Sequence, residues 1–516
     1  MSDTPLFRSE KKHRPLPLTT GFLISFLTVV ALALRLWDLG GASFWQDEVL
    51  TREIIAPGWN GLIWRGASIS STPPLYYAIE RLFFLLSPTE WSLRLPSAIF
   101  GALTVPLLFR LASLLTDRQT GVVAALLLTF SPFHLWYSQD ARPYTLFMLL
   151  TLASTLSLLH LLKAPDKKQW FLYWLSITLG IHTHLMTALI LIFHLALVPF
   201  VTGKTGYGAV WYASRIIGCQ LAASLTFFPF VPVLLKGLGV SYGIERPFSL
   251  LALPYSLFAF FSGFSLGPST YSLHHFSPAR AITPFPFVFL FFGLIFIPCL
   301  AMALRSLSRR QTRIVLLLWL VIPTTLLTLL AVNTHHSYNL RYISSLLFPL
   351  LILCAAGITA GHGRGILLLA AVLSYQATAI ANHFTDPAYA KTDFRSAAAY
   401  IAENGSAGDA VYVTGHIKPF LHYFRPTAME VVEQGAVRQD YETVGGKLMK
   451  TAGKHRRIWL VETRWEQYDP HGYAAKYCRL HFTGCPRFRP PEISRVKISC
   501  WLIPRNQPAE HDPGRE

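Results

Sequence analysis

Two adjacent carboxylates, Asp47 and Glu48, follow a Ser43-Phe44-Trp45-Gln46 run just beyond the first long apolar stretch of the chain. Acidic groups so close to a hydrocarbon boundary are costly unless they serve a cavity, where a carboxylate can take the proton of an attacking hydroxyl. The same pair also suits the start of a helix, whose positive end favours carboxylates. Three more polar runs interrupt apolar sequence: Thr72-Pro73-Pro74-Leu75-Tyr76-Tyr77, Ser138-Gln139-Asp140-Ala141-Arg142-Pro143-Tyr144 and Asn339-Leu340-Arg341-Tyr342. Arginine is expensive at such depths, and its planar fork matches a phosphate group; anchoring to lipid headgroups by Arg and Tyr is the other reading of each run. The pairs His182 and His184, His274 and His275, and His335 and His336 have no carboxylate or cysteine beside them at ligand spacing. A divalent metal is therefore not indicated, and His336, shortly before Arg341, suits the lining of a polar cavity. No Gly-rich phosphate loop with a following Lys and Ser/Thr occurs, nor a dinucleotide fingerprint, so ATP and nucleotide-sugar chemistry have no visible home.

The elements that position these residues are membrane helices. With 52% hydrophobic and only 14% charged residues over 516 positions, the chain is too apolar for a soluble protein of its size. Its net charge of +18 lies in short Lys/Arg clusters between apolar runs, which orient a membrane protein and do not form a nucleic-acid surface. Arg8, Lys11, Lys12, His13 and Arg14 precede an apolar run from Gly21 that lacks a small-residue cleavage site, which predicts a retained first helix. Apolar runs long enough to cross about 30 Å of hydrocarbon fall at 20–38, 74–88, 93–115, 120–138, 143–162, 169–184, 186–202, 214–235, 285–304, 314–332, 342–360 and 365–382. The apolar stretch after Leu250, broken by Pro254, Gly263, Gly267 and Pro268, reads as a loop with a partial or re-entrant helix. Lys163, Lys167, Lys168, Lys204, Arg215, Arg305, Arg309, Arg310, Arg313 and Arg364 collect on one side, which the positive-inside rule assigns to the cytoplasm. The polar runs above fall on the other side.

From Phe384 the apolar runs shorten and turn pairs such as Asn404-Gly405 and Gly445-Gly446 appear. The pattern predicts a helix at 393–403, a strand at 409–413, a helix near 415–424, a strand near 428–432, a helix near 437–450 and strands at 456–462 and 494–502. The expected organisation is thus a cytoplasmic tail over 1–19, a polytopic all-α membrane domain over 20–383, and a small extracytoplasmic α/β domain over 384–516. Cys219, Cys299 and Cys354 read as small buried hydrophobes, whereas Cys478, Cys485 and Cys500 lie where oxidation is expected, with Cys478 to Cys485 the favoured bridge.

The order of these motifs carries a resemblance. Asp47-Glu48 after the first helix, Pro73-Pro74-Leu75-Tyr76-Tyr77, Arg94-Leu95-Pro96 with small residues after it, Ser138 to Tyr144 and Arg341-Tyr342 together resemble the dolichyl- or polyprenyl-phosphate mannosyltransferases, family 39-type glycosyltransferases. Protein O-mannosyltransferases and lipid A aminoarabinose transferases are relatives within this group. The similarity covers 20–160 well and 330–425 loosely, where Asp393-Phe394-Arg395 resembles the start of the group's outer domain; Thr72 stands where many members have His. The resemblance implies the GT-C fold of about a dozen membrane helices and a multi-pass place in the bacterial inner membrane. It implies a polyprenyl-phosphate-sugar donor, no cofactor, and a lipid, glycan or protein acceptor. Asp47 becomes the candidate base and Glu48 its orienting neighbour. Arg142, Tyr144 and Arg341 become candidates to hold the phosphate, with Arg94, Tyr76, Tyr342 and His336 completing the substrate set. One base with direct displacement predicts inversion at the sugar carbon. A secondary transporter is the competing class, but it should show internal symmetry, and none is visible; an inactive scaffold for envelope assembly is the other alternative.

Overall fold

The computed structural model describes residues 18–70, 72–201, 208–232, 235, 248–334, 338–425, 428–435, 439–463, 468–486, 488 and 492–504. The chain divides into two compact units. One takes the described residues up to Gly41 together with Leu50–Tyr389, and the other takes Ala42–Val49 with the described residues from Ala390 onward.

The first unit is helical. Its helices are α1 (Leu18–Leu36), α2 (Gln46–Ile55, whose first residues fall in the 42–49 segment), α3 (Leu62–Ser70), α4 (Pro74–Leu86), α5 (Glu90–Leu115), α6 (Arg118–Thr129), α7 (Pro132–Ser138) and α8 (Tyr144–Lys163). There follow α9 (Lys167–Thr183), α10 (Thr187–Val201), α11 (Ala209–Phe227), α12 (Ala252–Ser262), α13 (Thr270–His275) and α14 (Pro278–Ile282). The unit closes with α15 (Pro286–Ser306), α16 (Arg310–Thr334), α17 (Leu347–Ala360) and α18 (Gly363–Thr385). Starts are written in the sequence: Pro74 and Pro132 occupy the first helical turn, and Thr89, Asp117 and Ser131 accept a backbone N–H three residues on.

Among the described residues every expected span has a helix at its place, residues 202, 233 and 234 of the expected spans lying outside them, and the partial helix after Leu250 is α12. Among the described residues, seven helices are long and apolar enough to cross a membrane, or eight if α6 and α7, bent by 55°, count as one span. This is a multi-pass membrane protein. The dozen full-length spans of the sequence reading are not all met, because α4, α9 and α10 have 13, 17 and 15 residues. At 1.5 Å per residue, 13 residues reach about 20 Å, short of the hydrocarbon thickness. The 120–138 stretch is broken at Ser131-Pro132, where the residue before proline leaves the helical region. Phe287, Leu290, Phe291, Leu294 and Ile297 of α15 are exposed, an apolar face suited to lipid. On its other side α15 meets α17 so closely that a Cβ on Gly357 would lie 1.9 Å from the Cys299 carbonyl oxygen, so small residues set this contact.

The second unit carries a five-stranded sheet of β1 (Ala410–Thr414), β2 (Glu430–Glu433), β3 (Arg457–Thr463), β4 (Thr483–Gly484) and β5 (Val496–Leu502), in the order β2-β1-β3-β5-β4. β1 is parallel to β2 and β3, whereas β5 is antiparallel to β3 and β4. The helices are α19 (Phe394–Asn404), α20 (Ile417–Tyr423), α21 (Tyr441–Ala452) and α22 (Tyr473–His481). One face of the sheet buries Val411, Val413, Trp459, Ile498 and Cys500 with α19 and α20; the other buries Tyr412, Ile458 and Leu460 with α21 and α22. The expected strands and helices are present within a few residues. The sequence reading missed α22 and β4; α22 starts where the Asp469 carboxylate accepts the Tyr473 and Ala474 N–H groups at 2.7 and 2.9 Å.

The disulfide corrects the expected pairing. It joins Cys485 to Cys500, and Cys478 is a free, buried thiol. Proximity in sequence favoured Cys478 with Cys485, but Cys478 packs on the face of the sheet opposite to Cys500. Cys485 instead donates its N–H to the Cys500 carbonyl at 3.0 Å, which places the two side by side.

Candidate active site

In the membrane unit the predicted phosphate-binding residues gather around the start of α8. Arg142 is buried, and its guanidinium Nη1 donates to the Thr51 hydroxyl of α2 at 3.3 Å, while that hydroxyl donates to the Ala141 carbonyl at 3.2 Å. The backbone of Arg142 is fixed independently: its N–H donates to the Asp140 carbonyl at 2.8 Å, and its carbonyl accepts the Ser97 hydroxyl at 3.0 Å. Ser97 in turn meets the Tyr76 hydroxyl of α4 at 2.9 Å. Tyr76 therefore acts on Arg142 through Ser97.

Arg341 lies in a 3-10 turn, Leu340–Leu346, that leads into α17; the Asn339 side chain accepts its N–H at 3.2 Å. Its guanidinium carbon stands 5.7 Å from the ring centre of Tyr144 and 5.4 Å from that of Tyr342. His184, at the end of α9, contacts both rings, at 5.8 Å from Tyr144 and 6.0 Å from Tyr342, and Tyr137 meets Tyr144 edge-on at 5.1 Å. Aromatic faces hold a guanidinium by its charge while leaving its in-plane N–H groups to point elsewhere, which suits it to a planar, two-toothed grip on phosphate oxygens. Arg94 is buried, and its Nη1 donates to the Leu39 carbonyl just past α1 at 3.0 Å. His336 lies outside the described residues, as does His335.

The 138–144 segment is pinned by residues the sequence reading did not single out for a role. Gln139 donates to the Arg35 and Trp37 carbonyls at 3.2 and 2.7 Å, capping the end of α1, and its side-chain oxygen accepts His383 at 2.9 Å. Arg35 is fully buried, and its guanidinium is spread over the Ala31, Leu128 and Thr129 carbonyls, the Ser138 hydroxyl and His134 Nδ1. Two of these carbonyls belong to the last turn of α6, whose negative dipole end suits a cation. Because Arg35 donates to Nδ1, the His134 proton sits on Nε2 and donates to Thr104 at 3.2 Å. Arg35 is the one charged residue of α1, and an ionisable residue within a membrane helix is a signal that could have found it.

The acidic pair belongs to the second unit. Glu48 is fully buried and Asp47 half-buried. Glu48 accepts the Trp45 N–H at 3.3 Å, a side chain in the first turn of α2 reaching back to the residue before the helix, as in a capping box. The segment is clamped on both sides of Phe44. The Ser43 hydroxyl donates to the Thr392 carbonyl at 2.8 Å and accepts the Phe394 N–H at 3.1 Å. The Phe44 N–H donates to the Tyr423 hydroxyl at 2.7 Å, and its ring meets that of His422 edge-on at 5.5 Å.

Residues 71–235 match the dolichyl-phosphate-mannose-protein mannosyltransferase family. No curated protein sequence matches the chain. Among solved structures, ArnT from Cupriavidus metallidurans in the apo state is similar with a TM-score of 0.57 at 13% identity, over 94% of this chain and 98% of that one. The same ArnT bound to undecaprenyl phosphate is similar with a TM-score of 0.52 at 15% identity, over 93% and 98% of the two chains. The oligosaccharyltransferase AglB from Archaeoglobus fulgidus, in complex with an inhibitory peptide and a dolichol-phosphate, is similar with a TM-score of 0.55 at 12% identity, over 96% and 75%. The chain is thus a GT-C-fold protein, similar over residues 71–235 to the dolichyl-phosphate-mannose-protein mannosyltransferases.

Proposed function

We propose that this protein is a membrane glycosyltransferase that takes a sugar from a polyprenyl-phosphate donor and passes it to an acceptor on the outer face of a bacterial inner membrane. The observation that carries this reading is the pair of arginines in the membrane unit, Arg142 against Thr51 and Arg341 between the rings of Tyr144 and Tyr342. They lie in a fold shared with an ArnT that has been solved with undecaprenyl phosphate bound. In water a guanidinium and a phosphate gain little from pairing; in a dry, preorganised setting the pairing becomes strong enough to hold a lipid phosphate and to stabilise it as it leaves. Asp47 is the base in this proposal, as the resemblance implies for the first carboxylate of the pair, with Glu48, which accepts the Trp45 N–H, as its orienting neighbour. A hydroxyl of the acceptor gives its proton to Asp47 and attacks the sugar carbon as the bond to the phosphate oxygen breaks, with inversion. Arg142, Tyr144, Arg341 and Tyr342 hold the phosphate, and Tyr76 positions Arg142.

The Cys485–Cys500 bridge supports an oxidising, extracytoplasmic place for the second unit, as does the gathering of cations in the loops on the other side. A cytoplasmic start and an extracytoplasmic second unit require an odd number of crossings, so this proposal needs one more or one fewer than the twelve expected from the sequence. The test is to incubate membranes holding the protein with radiolabelled polyprenyl-phosphate sugars. Label should move from lipid to an acceptor, and a panel spanning hexoses and pentoses in which no label moves would refute the reading. Periplasmic reporter fusions after residue 389 should be active; fusions active only in the cytoplasm would reverse the orientation.

A further inference from the structure

The sheet of the second unit reverses direction at its centre. The chain passes from β1 to β2 on one side, then to β3 on the other side of β1, and all three strands are parallel. Open α/β sheets take ligands at such a reversal, outside the carboxyl ends of the strands. Thr414, Gln434 and Glu462 line this edge: Thr414 is in register with Glu462, and the Gln434 N–H donates to the Val413 carbonyl at 3.0 Å, extending the β2 ladder by one residue. By strand alternation these three share a face with Tyr412, Val432 and Leu460, the face that α21 covers with Val444 and Leu448.

Two side chains on this face break the rule that buried polar groups find partners. Gln434 is fully buried, yet among the described residues neither its amide nitrogen nor its amide oxygen meets one; the Tyr412 hydroxyl is buried and likewise unmatched among them. They lie on adjacent strands, two residues apart along the ladder, within reach of one small ligand. Native proteins retain few such atoms, and each one calls for an explanation. Glu462 lies beside them, with its carboxyl pushed above the usual carboxylate range by burial. Lys447 of α21 closes the top: its ammonium donates to the Gln434 carbonyl at 2.5 Å. Gly435, at a φ of 111°, packs against the same cover: a Cβ there would come within 3.3 Å of Gln439 Nε2 and 3.6 Å of Lys447 Nζ. Lysine and glutamine side chains are long and unbranched, so this cover can swing aside without moving backbone.

We infer that this strand edge binds a single sugar unit of a glycan, with the Gln434 amide and Tyr412 hydroxyl hydrogen-bonding adjacent sugar hydroxyls beneath Lys447. An amide offers one donor and one acceptor in a plane, the pattern that two neighbouring hydroxyls on a ring complete. Identifying that glycan as the acceptor rests on the transferase reading above; the binding itself does not.

The test uses the full chain in phospholipid nanodiscs, free of glycoside detergent, and saturation-transfer NMR with methyl α-D-mannoside, methyl β-D-glucoside and methyl β-D-glucuronide. At least one probe should bind the native protein, and Gln434→Met and Tyr412→Phe should each weaken it about fivefold or more, the scale of one hydrogen bond. No binding by any probe overturns the inference. So does unchanged affinity in Gln434→Met, above all if that variant melts at a higher temperature, since the amide would then be only a packing defect. The readout involves no transfer, so a protein that binds the probe but moves no sugar would count against the transferase reading alone.

Discussion

Replacing Asp47 and Glu48 one at a time separates chemistry from architecture within two consecutive residues. Glu48 is fully buried and accepts the Trp45 N–H at 3.3 Å, whereas Asp47 is half-buried one position earlier. Consecutive helical residues point about 100° apart, so the two carboxylates address different surroundings. Glu48→Gln keeps an acceptor for the Trp45 N–H but loses the charge at the positive end of α2, which costs about 0.3–1 kcal/mol, up to ~2 in partly buried settings. Stability should fall by that amount, and turnover by no more than about tenfold, because a first turn loosened by about 1 kcal/mol spoils the geometry only part of the time. Asp47→Asn keeps shape and removes basicity. Loss of a general base costs 10²- to 10⁴-fold in turnover, or roughly 3–5 kcal/mol of barrier. Transfer of radiolabel under saturating donor, with donor affinity measured separately on the same membranes, distinguishes the two. A dead Glu48→Gln beside an active Asp47→Asn would reverse the roles, and two active variants would mean that the catalytic carboxylate lies elsewhere.

Alanine at Arg142 or at Arg341 should raise the apparent KM for the lipid donor about tenfold or more, because charge-assisted contacts to phosphate exist before as well as during transfer; an unchanged KM in both would remove them from the phosphate site. A Cβ on Gly101 would lie 2.3 Å from the Ser138 hydroxyl and 3.1 Å from Arg35 Nε, so Gly101→Ala should cost about 1–3 kcal/mol in thermal unfolding and shift the segment that carries Arg142. A native melting temperature there would contradict the packing described. Burial pushes the Cys478 thiol from its ordinary 9.0 up to about 12. The raised value means that its contribution to stability is full below about pH 9 and fades as pH climbs towards about 12, and maleimide should label Cys478 at pH 8 only after unfolding; rapid labelling of the native protein would refute this burial.

Much of the fold was legible because membrane helices announce themselves by length and apolarity, and because proline marks their starts, as at Pro74. The break at Ser131-Pro132 carried the same signal but lay inside a continuous apolar run, so it was read through. The Ser138 to Tyr144 run was legible as a site candidate since its polar residues interrupt a greasy stretch, and Arg142, Tyr144, Arg341 and Tyr342 prove to be buried or ringed by aromatics. Arg94 shows the limit: its guanidinium donates to the Leu39 carbonyl, 55 residues away, a contact that leaves no trace in its own neighbourhood. Thr51 was invisible, for a hydroxyl that accepts from an arginine 91 residues away leaves no trace in its own neighbourhood. The disulfide failed for a similar reason, since which face of a sheet a cysteine occupies depends on strands whose pairing the sequence does not declare.

The clamp on Phe44 has a consequence in time. Ser43 and Phe44 bond to residues 349 to 379 positions further along the chain. At a synthesis rate of about 5–20 residues per second, the loop bearing the acidic pair emerges roughly 20–75 seconds before the residues that fasten it. Until then it is an unanchored strand of chain beside a growing membrane protein, and its carboxylates have no fixed aim. The same separation governs grafting. A chimera that exchanges the second unit at residue 390 alone would pair one protein's loop with another's clamp, so residues 42–49 must travel with it.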